Sequence, residues 1–387
     1  MDFALDGTAI AVRDVAEDVF ARRQSDWESA FGGRDPGGTD AGREATRGGF
    51  EADGWQALVD AGLLALPLPA ALDGDDVDES GLLPLFRRMG RAAAVTPALG
   101  SLTAALMFAQ ADAQADAQAG EGSVWSRFGS SLTGGSWVSV AIGEHGDALT
   151  ATPRTSVRDG RLTGTKVGVL HADGASLFLV AADAGVVAVS PDAEGVAIAR
   201  TPTSSGWGEY TVTFDDVPVD DTDIVVRDLA VLRDRYRLAL CAYADGLVAG
   251  ATRLTADHVS TREQFGKPIA LFQAVGQQLA DIYVVGRSME LATTAAAWRL
   301  SEGLDAATDL AVAAYWLAEE IPPTTRTMTH LHGGIGVDIT YPLHRYFSLT
   351  KDLARLVGGA HVRLDELADI TDVPADDTRI AEVPDVH

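Results

Sequence analysis

The 387-residue chain has one cysteine, Cys241. That excludes an internal disulfide framework and any multi-thiolate metal site. Long apolar runs are missing too. Stretches such as Leu63–Leu68 and Leu177–Ala182 are far too short to span a bilayer. The N-terminus carries Asp2 and Asp6 and lacks a basic leader segment, so no signal peptide is expected and the protein reads as cytoplasmic. Basic residues are scarce: 30 Lys and Arg against 56 Asp and Glu give a net charge of −26. Such a surface excludes sequence-independent nucleic-acid binding and does not favour anionic membranes. A site for an anionic ligand would have to be locally basic against this field. No His, Cys and Asp cluster has metal-ligand spacing, so no metal is expected.

The residues present fall into three patterns. Up to about residue 130, Val12-Val15-Val19-Phe20 and Trp55-Leu58-Leu63 follow helical spacing, and 82–93 and 98–109 read as further helices. Residues 32–49 read as a loop, and 111–122, with its Ala-Asp-Ala-Gln repeat, as a solvated helix end or linker. From 131 to 226 the chain breaks into short segments rich in β-formers: 137–142, 148–156, 161–169, 176–182, 186–190, 196–200 and 210–214. Their spacing predicts a small antiparallel barrel or sandwich. From 227 to 370 the pattern is helical again, with Phe272, Val275, Leu279, Ile282 and Met289 predicted to form a long buried stripe. Pro322-Pro323 is placed to start or kink a helix. Residues 371–387 form an acidic tail expected to fray. The fold class is therefore α+β, mainly α: an N-terminal helical domain (1–130), a central small β-barrel (131–226) and a C-terminal helical bundle (227–370).

One stretch carries chemistry: Arg262-Glu263-Gln264-Phe265-Gly266-Lys267-Pro268-Ile269-Ala270-Leu271-Phe272-Gln273. Arg262 offers five fixed donors suited to a diphosphate, and a Gln can pair with a base edge. A surface ion pair with Glu263 or Asp257 is the plainer alternative for Arg262. Some 60 residues on, His332-Gly333-Gly334-Ile335-Gly336 is a loop where bare backbone could approach a ligand, or a simple helix C-cap.

Together these stretches resemble the acyl-CoA dehydrogenase family, with its R-x-[QT]-F-G-K-x-I-x-x-x-Q segment and later G-G-x-G loop. Leu162-Thr163-Gly164-Thr165-Lys166, Phe214-Asp215-Asp216-Val217-Pro218-Val219 and Tyr341-Pro342-Leu343-His344-Arg345 are similar to further family segments. The order of helices, β domain and helical bundle extends the likeness over nearly the whole chain. The resemblance implies that Arg262, Gln264, Phe265, Ile269, Gln273, His330, Gly333 and Gly334 contact FAD, and that this FAD belongs to a neighbouring subunit. His330 stands where the family usually has Gln.

The chemistry of the family needs a carboxylate base for the proton alpha to the thioester carbonyl. Its Glu occupies one of two places, which here hold Tyr236, followed by Arg237 at the acyl pocket, and Val357. Valine cannot accept a proton, and a tyrosine of ordinary pKa is a poor base at neutral pH. Asp234 is turned away from that face of the helix, and Glu209 and Glu263 match neither place. No catalytic residue is therefore expected. Gly168 and Leu170 replace the Trp and Thr that cover the flavin ring in the family, and Gly143-Glu144-His145-Gly146-Asp147 is a shortened version of another cofactor loop. The pattern is like that of a non-catalytic chain in an α2β2 acyl-CoA dehydrogenase, such as those acting on sterol side-chain CoA thioesters. Its expected partner is a Glu-bearing homologue whose pocket takes most of the acyl-CoA. The alternatives are a self-sufficient homo-oligomer with an unusual base and a flavin-free scaffold of the same fold.

Overall fold

The computed structural model describes residues 6–21, 49–70, 74–114, 124–132 and 134–371. All of the expected loop at 32–49 except Gly49, most of the 111–122 linker and the tail after 371 lie outside them.

The chain opens with helices α1 (Gly7–Ala21), α2 (Ala52–Asp60), α3 (Glu79–Arg91), α4 (Ala98–Gln114) and the short α5 (Val124–Phe128). Helix α3 starts where Asp78 caps it, its carboxylate accepting from the Gly81 amide at 2.8 Å. On α1 the buried residues are Ala9, Val12, Ala16 and Phe20, while Val15 is exposed, so the inward face is narrower than the valine spacing implies.

Two four-stranded sheets follow. One orders β1 (Val138–Ala141), β4 (Leu177–Ala182), β5 (Gly185–Val189) and β8 (Ile224–Val226); the other orders β2 (Ser156–Arg158), β3 (Arg161–Leu170), β7 (Glu209–Pro218) and β6 (Val196–Thr201). All pairings are antiparallel except β1 with β4, which is parallel, contrary to the all-antiparallel expectation. Of the expected strand at 148–156 only Ser156 lies in a strand, at the start of β2, and β8 carried no signal in the sequence. Strand β4 explains its own composition. Phe178, Val180 and Ala182 join the core between the sheets, while Leu177, Leu179 and Ala181 join the main helical core. A strand buried on both faces reads as a continuous apolar run.

The rest is helical: α6 (Leu229–Thr261), α7 (Gln273–Ser301), α8 (Ala307–Tyr315), α9 (Ile321–His332), α10 (Leu343–Leu356) and α11 (Gly359–Thr371). Helix α6 is central and fixed by close contact with α3. A β-carbon on Gly90 would stand 1.9 Å from the Tyr243 carbonyl oxygen, and one on Gly246 2.1 Å from that of Arg87. Only glycine lets the two backbones meet there. Arg87 ties the joint to α7 by donating to Asp245 at 2.5 Å and to the Glu290 carbonyl and Thr294 hydroxyl at 2.8 Å. Between α8 and α9 the helix widens into a π turn, Trp316–Glu320, in which the Ile321 amide bonds the Trp316 carbonyl. Pro322 and Pro323, which supply no amide donor, sit immediately after it, so they start the next helix as expected.

The predicted stripe on α7 is buried only in part. Ile282 and Met289 are in the core; Phe272, Val275 and Leu279 are half-buried. Leu271 just before α7, and Tyr283 and Val284 on it, are 65%, 66% and 57% exposed, and among the described residues no second layer covers the N-terminal half of α7.

Candidate functional site

Helix α6 ends at Arg262, whose amide bonds the His258 carbonyl at 2.8 Å. The chain then makes a minimal hairpin, β9 (Glu263–Gln264) against β10 (Lys267–Pro268), closed at its base by the Ile269 amide donating to the Arg262 carbonyl at 2.8 Å. Its two turn residues, Phe265 and Gly266, both have positive φ, 53° and 78°. That is the geometry of the tightest hairpin turn, which favours Asn or Gly. A phenylalanine there is strained, and it is 94% exposed, its ring edge-to-face with that of Phe272 at 6.2 Å between centroids. Lys267 lies over the Phe272 ring at 4.3 Å.

Arg262 is exposed, and among the described residues its guanidinium makes no hydrogen bond or ion pair. The ion-pair alternative fails for Asp257, which faces Arg253 at 3.7 Å. Gln264 and Gln273 are also exposed. Ile269 differs: it is half-buried against the main core and roots the hairpin.

The glycine loop follows α9. Gly333 has φ 64° and ψ −140°, and nothing lies within 4 Å of a β-carbon built on Gly333 or Gly334. Gly336 serves packing instead, because a β-carbon there would stand 2.4 Å from the Thr329 carbonyl oxygen. His330 is exposed beside the loop. What joins the loop to the hairpin is a pair of rings. His258, whose carbonyl caps Arg262, stacks on His332 at 4.3 Å with 21° between the planes. The two motifs, 60 residues apart in sequence, therefore share one patch of surface.

A second centre lies inside. Tyr236 is 3% exposed; burial pushes its phenol well above the ordinary value, with the charge of Glu209 adding to the shift. Arg237 is turned toward α11, where Glu366 accepts from it at 2.8 Å, so it braces two helices. Val357 is fully buried at the end of α10. Asp234 is engaged with Arg233 at 2.9 Å. Gly168 stands at an irregularity in the β3–β7 register, and Leu356 lies against it. Leu170 is buried and pairs across the strands with Glu209. Glu209 is itself buried, and burial raises its pKa although Arg355 of α10 donates to it. The amides of Ser204 and Ser205 donate to Asp352, at 3.0 and 2.8 Å, so α10 is strapped onto the sheet at two points.

In the shortened loop, Glu144 is consumed by structure. Burial opposes its charge, but donors from Lys166 (2.8 Å), the Arg154 and Thr155 amides (both 2.9 Å) and the Thr155 hydroxyl (2.7 Å) outweigh it. They hold the carboxyl down at about 2.

Comparison with known proteins decides the family. The model for the acyl-CoA dehydrogenase C-terminal domain matches residues 233–368. The acyl-CoA dehydrogenase FadE28 of Mycobacterium tuberculosis (strain ATCC 25618 / H37Rv) is 47% identical over 314 residues, covering 81% of this chain and 91% of that protein. This chain belongs to the acyl-CoA dehydrogenase family. Among solved structures, the ChsE4-ChsE5 complex from Mycobacterium tuberculosis superposes with a TM-score of 0.80 at 29% identity, covering 97% of this chain and 100% of that one. A variant of the Tcur3481-Tcur3483 steroid ACAD gives 0.79 at 30% identity, with 94% and 97% covered.

Acyl-CoA dehydrogenases are FAD flavoproteins, and the two centres fit that cofactor unequally. The outer patch offers an unpaired guanidinium, an exposed aromatic ring and open glycine backbone, a donor set suited to a diphosphate and a base. The inner centre offers Leu170, Leu356, Val357 and a buried tyrosine, which give a flavin ring little to hydrogen-bond. The outer residues were legible in the sequence because they are contiguous. The His258–His332 stack and the approach of Glu209 to Tyr236 were not, since each joins segments distant in the chain. No helix among the described residues is long and apolar enough to cross a membrane.

Proposed function

We propose that this chain is the non-catalytic subunit of a heteromeric acyl-CoA dehydrogenase, whose Glu-bearing partner subunit carries out the alpha,beta-dehydrogenation of a CoA thioester. The observation that carries the reading is the inner centre. Tyr236 and Val357 stand at the two base positions of the family; one is buried with its phenol held protonated, the other is aliphatic. Neither can take a proton from a thioester alpha carbon at neutral pH. The role left to the chain is at the outer patch. Arg262 would hold the diphosphate of FAD seated in the partner subunit, Gln264, Gln273 and His330 would donate to its adenine and ribose, Phe265 would pack on it, and Gly333 and Gly334 would let backbone amides approach. FAD supplies the hydride acceptor when bound.

Support for a partner comes from the exposed apolar side chains of the two motifs, Phe265, Leu271 and Val337, the last 70% exposed. The substrate class we assign is a sterol side-chain CoA thioester. It follows the likeness to a steroid ACAD of two named chains. The division into 1–130, 131–226 and 227–370 belongs to the same reading.

The self-sufficient alternative has one observation in its favour: Glu209 is a buried carboxylate near Tyr236. Its bond to Arg355 and its place between strands argue for a structural role. The test is co-purification with a Glu-bearing homologue, followed by flavin counting and dye-reduction assays. We expect one FAD per two subunits, and no turnover by this chain alone with acyl-CoAs of several chain lengths. One FAD per subunit, or robust turnover by the isolated chain, would reject the proposal.

A further inference from the structure

The stack of His258 on His332 has no part in the reading above. It lies where the last turns of α6 and α9 converge, directly beneath Arg262 and Gly333. Two helix C-termini meeting there favour positive charge, yet both rings are held toward the neutral form. For His258 the causes are burial, then repulsion from His332, then repulsion from Arg262; for His332 the cause is burial. His332 is 4% exposed. One ring nitrogen, Nδ1, lies 2.9 Å from the Met328 carbonyl oxygen, while Nε2 is buried without a hydrogen bond. With Nδ1 as the donor, Nε2 is an acceptor facing no donor. The backbone carbonyls of Met328 and Leu254 both favour a charged ring. A proton on Nε2 would turn an unsatisfied acceptor into a donor aimed at a carbonyl.

The charges facing the pair are few. From α6 there is Arg262; from the turn before α10 the Tyr341 ring lies 5.4 Å from His332. Among the described residues no carboxylate contributes to either ring's shift, and the neighbouring Asp257 is engaged with Arg253. The free chain thus holds a pair of imidazoles poised to accept a proton and opposed by burial and by uncompensated positive charge.

We propose that the His258–His332 stack is part of the anion site at Arg262, and that a diphosphate binding there is accompanied by uptake of a proton onto the stack. This rests on the reading of Arg262 as the diphosphate residue. A dianion beside Arg262 offsets the repulsion and shifts both rings toward the charged form. The sign follows by linkage: a group that gains a proton on binding makes binding tighter on the acid side. The two imidazoles would then gate FAD occupancy by pH, a property separate from the dehydrogenation.

The test is calorimetric titration of the flavin-free heteromer with FAD, whose internal diphosphate does not titrate in this range. It is run at pH 5.5, 6.5 and 8.0 in pairs of buffers differing in ionisation heat. The expected result is net proton uptake on the acid side and an affinity at pH 5.5 about threefold or more tighter than at pH 8.0. His258→Phe, which keeps an aromatic ring in the stack, should flatten that ratio toward one. Arg262→Ala should weaken binding by about 10- to 150-fold at every pH. Arg262-dependent binding by the wild-type heteromer with no proton uptake overturns this inference and leaves the reading of Arg262 standing. Binding indifferent to Arg262→Ala overturns both.

Discussion

Cδ2 of Leu356 lies 2.9 Å from the point where a β-carbon on Gly168 would stand. The end of α10 has moved into the space that a side chain on β3 would need, and Gly168 itself has φ 69°. Restoring a tryptophan there is therefore opposed twice, by backbone conformation and by volume. Gly168→Trp should destabilise the chain by about 2–4 kcal/mol. Denaturant unfolding of the single variant and of Gly168→Trp with Leu356→Ala measures the two parts. Leu356→Ala should recover the steric part only; full recovery would show that the backbone conformation costs nothing.

Arg262→Ala is expected to weaken FAD retention in the assembled heteromer by about 10- to 150-fold, the loss of a charged hydrogen-bonded contact worth roughly 1.5–3 kcal/mol. Because the side chain is exposed and has no partner among the described residues, thermal unfolding of the isolated chain should not change. Flavin occupancy after gel filtration reads the first effect and a melting curve the second. Unchanged occupancy would remove Arg262 from the site.

Tyr236→Glu should restore no activity to this chain. The new carboxylate would be buried close to Glu209, already raised in pKa by burial, and two like charges in one apolar site oppose each other. We expect lower stability together with zero turnover. Appreciable turnover by this single variant would mean that a missing base is all that disables the inner centre. As a control, Glu209→Gln should leave the activity of the heteromer within about twofold, since Glu209 is assigned a structural bond to Arg355.

Glu144 gives a pH prediction. Its folded pKa of about 2 is below the ordinary glutamate value of 4.5, so its contribution is fully present above the unfolded value and is lost as pH falls toward 2. Acid unfolding of the wild type should steepen in that window, and Glu144→Gln should remove the steepening. Glu144→Ala should cost about 3–5 kcal/mol at neutral pH, because it strands the fully buried Lys166. A neutral effect would show that water replaces the carboxylate.

The fold was legible where periodicity is local. Helical spacing found α3, α4 and the C-terminal bundle, and β-rich segments found β3 to β7. What escaped depends on partners distant in sequence. Nothing in Val138–Ala141 announces that it pairs in parallel with Leu177–Ala182. Apolar spacing placed Phe272, Val275 and Leu279 in a core stripe, but spacing cannot say whether the covering layer belongs to the same chain. At the outer patch the residues were readable as a string. The left-handed backbone of Phe265, which leaves the residue 94% exposed, was not, because a phenylalanine carries no sequence signal for that conformation.

That hairpin has a consequence for how the protein must be made. A ring held outward on a strained turn, with exposed Leu271 and Val337 on the same two motifs, leaves an adhesive surface until something covers it. Under the proposed function, a surplus of this chain would self-associate and a deficit would leave its partner uncapped. Production in amounts balanced with the partner subunit is then the demand that this exposed patch places on the cell.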